Sequence, residues 1–169
     1  DVIELANGCI CCTVADDFVP TMRKLLDRKD PPQHIVIETS GLALPQPLVR
    51  AFNWPEIKSR VTVDGVITVV DAKALAEGRF ADDEDAVQAQ READPNLDHE
   101  NPIEELFEDQ LNCADMVILN KTDLLVGGEN EAVTAELRQK VRAGTRLVAA
   151  RHGQIDVAAL LGVGASAED

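Results

Sequence analysis

Apolar residues along this chain recur at two periods, and the alternation between those periods predicts its architecture. Phe18, Val19, Met22, Leu25 and Leu26 share one face at helical spacing. Asp16 is placed to cap that helix, and Pro20 falls in its first turn, where backbone N–H groups lack intrahelical partners. Pro31-Pro32 then stops it. His34-Ile35-Val36-Ile37 is a short apolar run between turn residues, as expected of a buried parallel strand, and a helix follows around Gln46 to Phe52. Val61-Thr62-Val63 and Val66 to Val70 flank Asp64-Gly65, which suits either a tight hairpin or a kinked single strand. Ala72 to Glu77 is helical, and Ile103 to Cys113 has helical periodicity through Ile103, Leu106, Phe107 and Leu111. Met116-Val117-Ile118-Leu119 reads as another buried strand, Glu131 to Val141 as a helix, Arg146 to Ala149 as a last strand and Ile155 to Leu161 as a short closing helix. Alternating helices and strands predict an α/β domain with a mainly parallel sheet.

The two ends add an expectation about extent. Val2-Ile3-Glu4-Leu5 has a strand pattern with no preceding unit to pair with, and Gly162 to Asp169 is small and polar, like the opening of a linker. The sequence therefore predicts a partial domain over residues 1–161, missing its N-terminal βα unit, and the start of a linker over 162–169.

Composition narrows the function classes. A length of 169 residues suits one domain, and 45% hydrophobic with 28% charged residues is ordinary for a soluble globular protein. No apolar run approaches the roughly 20 residues that cross a bilayer, and no basic flank leads an apolar stretch at the start. The expectation is a cytoplasmic protein without a membrane partner. A net charge of −15 would repel nucleic acid. Much of the acid lies between residues 82 and 109, including Asp82-Asp83-Glu84-Asp85, and reads as a solvated surface insertion.

Candidate chemistry is concentrated in three segments. Cys9, Cys11 and Cys12 lie within four positions, too close for an ordinary disulfide framework. Such a cluster reads as metal-binding or redox-active, because thiolates are soft ligands for Zn(II), Cu(I) and related ions. Cys11 and Cys12 are the leading pair, Cys9 is a third or alternate ligand, and Glu4 is an additional candidate. Cys113, beside a helix end, reads as a packed cysteine. His99, between Asp98 and Glu100, reads as a solvated side chain.

The second segment is Asn120-Lys121-Thr122-Asp123, directly after the strand Met116 to Leu119. Polar side chains at the carboxyl end of a parallel strand stand where open α/β sheets bind ligands. Four such residues also suit a plain turn. As a base-reading loop their chemistry is specific: the Asp123 carboxylate accepts from guanine N1–H and the 2-amino group, Lys121 lays its stem along the ring, and Asn120 braces the loop. Adenine offers no matching donors. The third segment, Glu38-Thr39-Ser40-Gly41, follows the predicted strand at His34 to Ile37. Taken alone these residues suit a plain strand-to-helix turn; as a site, a carboxylate there can hold a magnesium shell through water and sense a γ-phosphate, with Gly41 allowing close backbone approach.

Taken together, Glu4-Leu5-Ala6-Asn7-Gly8-Cys9-Ile10-Cys11-Cys12, Ile37 to Ala43, Val69-Val70-Asp71-Ala72, Asp109-Gln110-Leu111 and Asn120 to Asp123 resemble, in order and spacing, the CobW family of metal-chaperone GTPases. The Cys-x-Cys-Cys segment separates that family from its relatives UreG and HypB. Within it, residues 91–110 are most similar to members associated with cobalamin synthesis. The resemblance implies a P-loop NTPase-like fold with helices on both faces of the sheet. It also implies GTP hydrolysis coupled to Zn2+ or Co2+ binding and to delivery of that metal to a client protein. By matching position, Cys9, Cys11 and Cys12 take the metal, Glu38 the magnesium-water or switch role, and Asn120, Lys121 and Asp123 the guanine of GTP or GDP. The family's Gly-rich loop ending in Gly-Lys-Ser/Thr has no counterpart in these residues, so the 169-residue chain alone is expected to turn over little. The alternative is a metal-binding or redox-sensing module on a GTPase frame without turnover.

Overall fold

A computed structural model describes residues 2–3, 18–93 and 102–162 of the chain. Its helices are α1 (Val19–Leu26), α2 (Pro45–Ala51), α3 (Pro55–Lys58), α4 (Ala72–Ala76), α5 (Glu84–Ala93), α6 (Ile103–Cys113) and α7 (Glu129–Lys140). The strands are β1 (Ile67–Asp71), β2 (Met116–Asn120) and β3 (Arg146–Ala149), and short 3-10 turns cover Thr122–Leu124 and Val157–Ala159.

All three strands are parallel and lie in the order β1-β2-β3, with Asp71 level with Asn120 and Leu119 level with Ala149. This bears out the α/β class. The central strand explains why: Met116, Val117, Ile118 and Leu119 are all buried, so both faces of β2 are covered, as a strand inside a parallel sheet requires. Val117 and Leu119 point into the main core with Leu75, Phe107, Leu111, Val133 and Leu137 from α4, α6 and α7. Met116 and Ile118 face the opposite way, where Ile155 and Leu160 pack beside the last 3-10 turn. A separate apolar cluster joins α1, α2 and α3 through Phe18, Met22, Leu48, Ala51 and Ile57. Phe18 meets Phe52 there edge to face, ring centroids 5.2 Å apart.

The strand entries are fastened at one end of the sheet. The buried Asp115 carboxylate accepts the Val66 N–H at 2.9 Å and pairs with Arg142 at 3.0 Å. Asp115 N–H in turn donates to Val66 O at 2.9 Å. That leaves the opposite end, where Asp71, Asn120 and Ala149 finish their strands, as the end that presents loops.

Several expectations are corrected. His34 to Ile37 forms no strand: it has no ladder partner among the described residues, Val36 is 89% exposed, and an apolar run without a neighbouring strand cannot satisfy its backbone as a sheet. The Asp64-Gly65 hairpin is absent because neither residue adopts the positive φ that a two-residue type I′ turn needs. Instead Asp64 Oδ2 accepts the Gly162 N–H at 2.6 Å. The closing helix is reduced to Val157–Ala159, capped by Asp156, whose Oδ1 accepts the Ala158 N–H at 2.9 Å. Val2 and Ile3 carry no strand, and Glu4, Leu5 and the Asp16 cap lie outside the described residues. The acidic insertion contains helix α5, whose start Asp83 caps by accepting the Ala86 N–H at 2.9 Å. No helix among the described residues is long and apolar enough to cross a membrane.

Candidate functional site

The carboxyl ends of the three strands bring one set of polar side chains together. Asn120 is the last residue of β2, and its Oδ1 accepts the Gly153 N–H at 2.9 Å from the loop after β3. Thr122 hydroxyl donates to Ala150 O at 2.8 Å, and Thr122 N–H reaches the same carbonyl at 3.3 Å. The loop after β2 is thus strapped to the loop after β3 through Asn120 and Thr122.

Lys121 sits in left-handed backbone, φ 62°, which a non-glycine residue adopts only at some cost. Its Nζ reaches across the sheet end to Asp71 Oδ2 at 2.5 Å. Asp71 uses its other oxygen to cap α4, accepting the N–H groups of Lys73 and Ala74 at 3.0 Å each. Burial pushes the Asp71 carboxyl up, but the hydrogen bond from Lys121 and the capping N–H groups outweigh it and hold the group below its ordinary value. The hydrogen bond to Asp71, against desolvation, holds the Lys121 ammonium above its own ordinary value. Asp82 adds a weaker contact to Lys121 at 3.7 Å.

Asp123 is the middle residue of the 3-10 turn, and its Oδ2 lies 3.5 Å from His152 Nε2. His152 is itself in left-handed backbone, φ 52°. A partly exposed carboxylate at the mouth of the sheet, on a loop fixed by Asn120 and Thr122, can accept two parallel N–H groups from a planar ring. That is the donor pair guanine presents and adenine lacks.

Among the described residues the Glu38 segment makes no hydrogen bond to these side chains and is tied instead to α6. Glu38, Thr39 and Ser40 are exposed, and residues 40–43 form a turn in which Ser40 O accepts the Ala43 N–H at 3.0 Å and Ser40 Oγ the Leu42 N–H at 3.3 Å. A Cβ added at Gly41 would meet nothing within 4 Å, so the turn's own packing does not require glycine there. One exposed carboxylate beside two hydroxyls is a donor set for a hard, oxygen-seeking cation held largely through water, and so fits magnesium. The turn's anchor was not foreseen as functional: Gln110 on α6 donates from Nε2 to Gly41 O at 2.8 Å and to Ala43 O at 3.1 Å. Its only sequence signal was membership of the Asp109-Gln110-Leu111 stretch.

Cys9, Cys11, Cys12 and His99 lie outside the described residues. Among the described residues no group of three His, Cys, Asp or Glu side chains is arranged to hold a metal ion. Cys113 is buried and free, burial raising its thiol pKa, as a packed cysteine should be.

Residues 1–149 match the nucleotide-binding domain described for CobW/HypB/UreG. The chain is 61% identical over 168 residues to a protein named zinc chaperone CobW from a Sinorhizobium species, covering 99% of this chain and 48% of that protein. It is 54% identical over 167 residues to a zinc chaperone CobW of Pseudomonas aeruginosa, covering 99% and 44%. It is 33% identical over 156 residues to the zinc-regulated GTPase metalloprotein activator 1 of Schizosaccharomyces pombe, covering 91% and 32%. The chain spans about half the length or less of these curated relatives. No solved structure matches it significantly.

Proposed function

This chain belongs to the CobW/HypB/UreG family of nucleotide-binding domains, and from that membership we propose that it is the guanine-reading part of a GTP-dependent metallochaperone. The observation that carries the reading is the preformed loop after β2, with Asn120 bonded to Gly153 and the Asp123 carboxylate presented at the sheet's carboxyl end. Asp123 accepts from the guanine N1–H and 2-amino group, and the Lys121 stem lies along the ring with its ammonium held by Asp71. Glu38 holds water around Mg2+, and the Gly41 turn meets the phosphate end. Bound Mg2+ supplies charge neutralisation for the departing phosphate.

Cys9, Cys11 and Cys12 take the cargo metal. Zinc is favoured over cobalt because the most similar relatives reported above are named zinc chaperones, and thiolates suit both ions. Hydrolysis promotes release to a client protein only if GTP and GDP favour different states of the cysteine segment. The nucleotide-binding unit spans residues 1–161. The protein works in the cytoplasm, with neither nucleic acid nor membrane as partner, and a link to cobalamin synthesis follows from the resemblance of residues 91–110.

The test is titration of the full-length protein with Zn2+ and with Co2+ in the presence of Mg-GTP, Mg-GDP or no nucleotide, repeated with Cys11→Ala and Cys12→Ala. Tighter binding with GTP that disappears in the cysteine variants is expected. Equal affinity in all nucleotide states would refute the chaperone mechanism and leave the metal-binding or redox module.

A further inference from the structure

Gln110, on α6, lies outside both the loop after β2 and the Glu38 to Gly41 stretch, yet it bonds to the turn in which that stretch ends. Its side-chain amide spans 69 residues of sequence to reach Gly41 O and 67 to reach Ala43 O, at 2.8 and 3.1 Å. Both targets are carbonyls, which only accept, so the amide nitrogen must face them, and it has two hydrogens to give. Its own backbone carbonyl accepts the Thr68 hydroxyl at 3.1 Å. Thr68 belongs to β1, the strand that ends at Asp71, and α6 runs on through Ala114 and Asp115 into β2. One residue therefore ties the turn beyond Glu38 to both strands that carry the base-reading groups.

The residue type is narrowly suited to that position. A glutamate would set a carboxylate against two carbonyl oxygens. A methionine of similar length would leave both carbonyls without this partner. The turn's internal bonds, Ser40 O to Ala43 N–H and Ser40 Oγ to Leu42 N–H, define its shape but do not fix it against the rest of the fold. Gln110 does that, alongside the buried Leu42 side chain, by orienting the two peptide planes that carry the Gly41 and Ala43 carbonyls.

We propose that Gln110 is the positioning residue for GTP hydrolysis, holding the Gly41–Ala43 turn in register with the sheet so that Glu38 and Gly41 meet the phosphate end of the nucleotide that Asp123 reads. This rests on the function proposed above. A positioning role separates turnover from binding, because the base contacts lie on the independently strapped loop after β2. An error of about 1 Å in a phosphate-facing group is enough to cost about 100-fold in rate.

The experiment compares full-length wild type with Gln110→Met, Gln110→Glu and Gln110→Lys. Expected for the Met and Glu variants is a kcat lower by about 10- to 100-fold, with KM for GTP and affinity for GDP within about threefold of wild type. Lys, which restores donors, recovers part of kcat. Hydrogen exchange supplies a readout that needs no turnover: the Leu42 and Ala43 amides exchange at least about tenfold faster in Gln110→Met, while those of β2 do not change. Unchanged exchange overturns the proposal, as does unchanged kcat in a protein whose wild type hydrolyses GTP. Loss of GDP affinity in parallel with kcat also overturns it, because that pattern marks general loosening of the fold. A wild type with no GTP hydrolysis refutes the functional reading itself, and the positioning role falls with it.

Discussion

Replacing Asp71 separates two jobs that one carboxylate performs. Its Oδ1 caps α4 through two N–H groups at 3.0 Å, and its Oδ2 holds Lys121 at 2.5 Å. Asp71→Ala removes both. The lost cap costs about 1 kcal/mol. The Lys121 side chain is 39% exposed, so solvent screening limits the pair to about 0.5–1 kcal/mol, giving roughly 1.5–2 kcal/mol in all. Asp71→Asn keeps an oxygen that can cap but loses the charge, and should cost only the pair. Urea unfolding followed by circular dichroism at neutral pH should therefore separate the two variants by about 1 kcal/mol. Acid supplies a second check. The Asp71 carboxyl is held below its ordinary value, so the stability it adds is present above that value and is lost as pH falls through the depressed one. The raised Lys121 value keeps the pair intact until pH climbs through it from below. The gap between wild type and Asp71→Asn should stay constant through neutral pH and close in acid. Equal destabilisation by Ala and Asn, or a gap that persists in strong acid, would refute this division of labour.

Leu137, fully buried between α7 and the central strand, should cost about 2–5 kcal/mol when replaced by alanine, seen as a lowered denaturation midpoint; a loss under about 1 kcal/mol would contradict the packing described. Lys121→Gly should leave stability within about 1 kcal/mol, since glycine accepts φ 62° without strain and so offsets the lost ion pair. Its affinity for guanine nucleotides should nevertheless fall, as isothermal titration would report. Gly41→Ala should unfold within about 0.5 kcal/mol of wild type, because nothing lies near the added Cβ, while GTP hydrolysis drops. An equally active Gly41→Ala protein would remove the turn from the phosphate site.

Legibility in the sequence followed the source of each element's stability. Met116 to Leu119 could be read because all four side chains are buried whichever way they point, and α6 because Ile103, Leu106, Phe107 and Leu111 repeat at helical spacing. Ile35 to Ile37 is equally apolar, yet a strand is a property of two segments, and the ladder partner is not written in the run itself. Helix α3, four residues begun by Pro55, was too short for any period to register. The proposed base-reading loop could be picked out because its residues are contiguous. What orients it could not: the links to Asp71, Gly153 and Ala150 cross 50, 33 and 28 residues. The same holds for Gln110, whose role depends on carbonyls far away in the chain.

The straps from Asn120 to Gly153 and from Thr122 to Ala150 also bear on how fast nucleotide comes and goes. A loop already fixed to its neighbour loses little conformational entropy when a base settles on it, so docking of the ring carries almost no ordering cost. The turn at Gly41 to Ala43 is held to the fold by the Gln110 amide and the buried Leu42 side chain, without a backbone strap of that kind among the described residues, and has more freedom to lose. Residence time of the nucleotide should then be governed at its phosphate end, with the base acting as the rigid pivot about which the rest engages and departs.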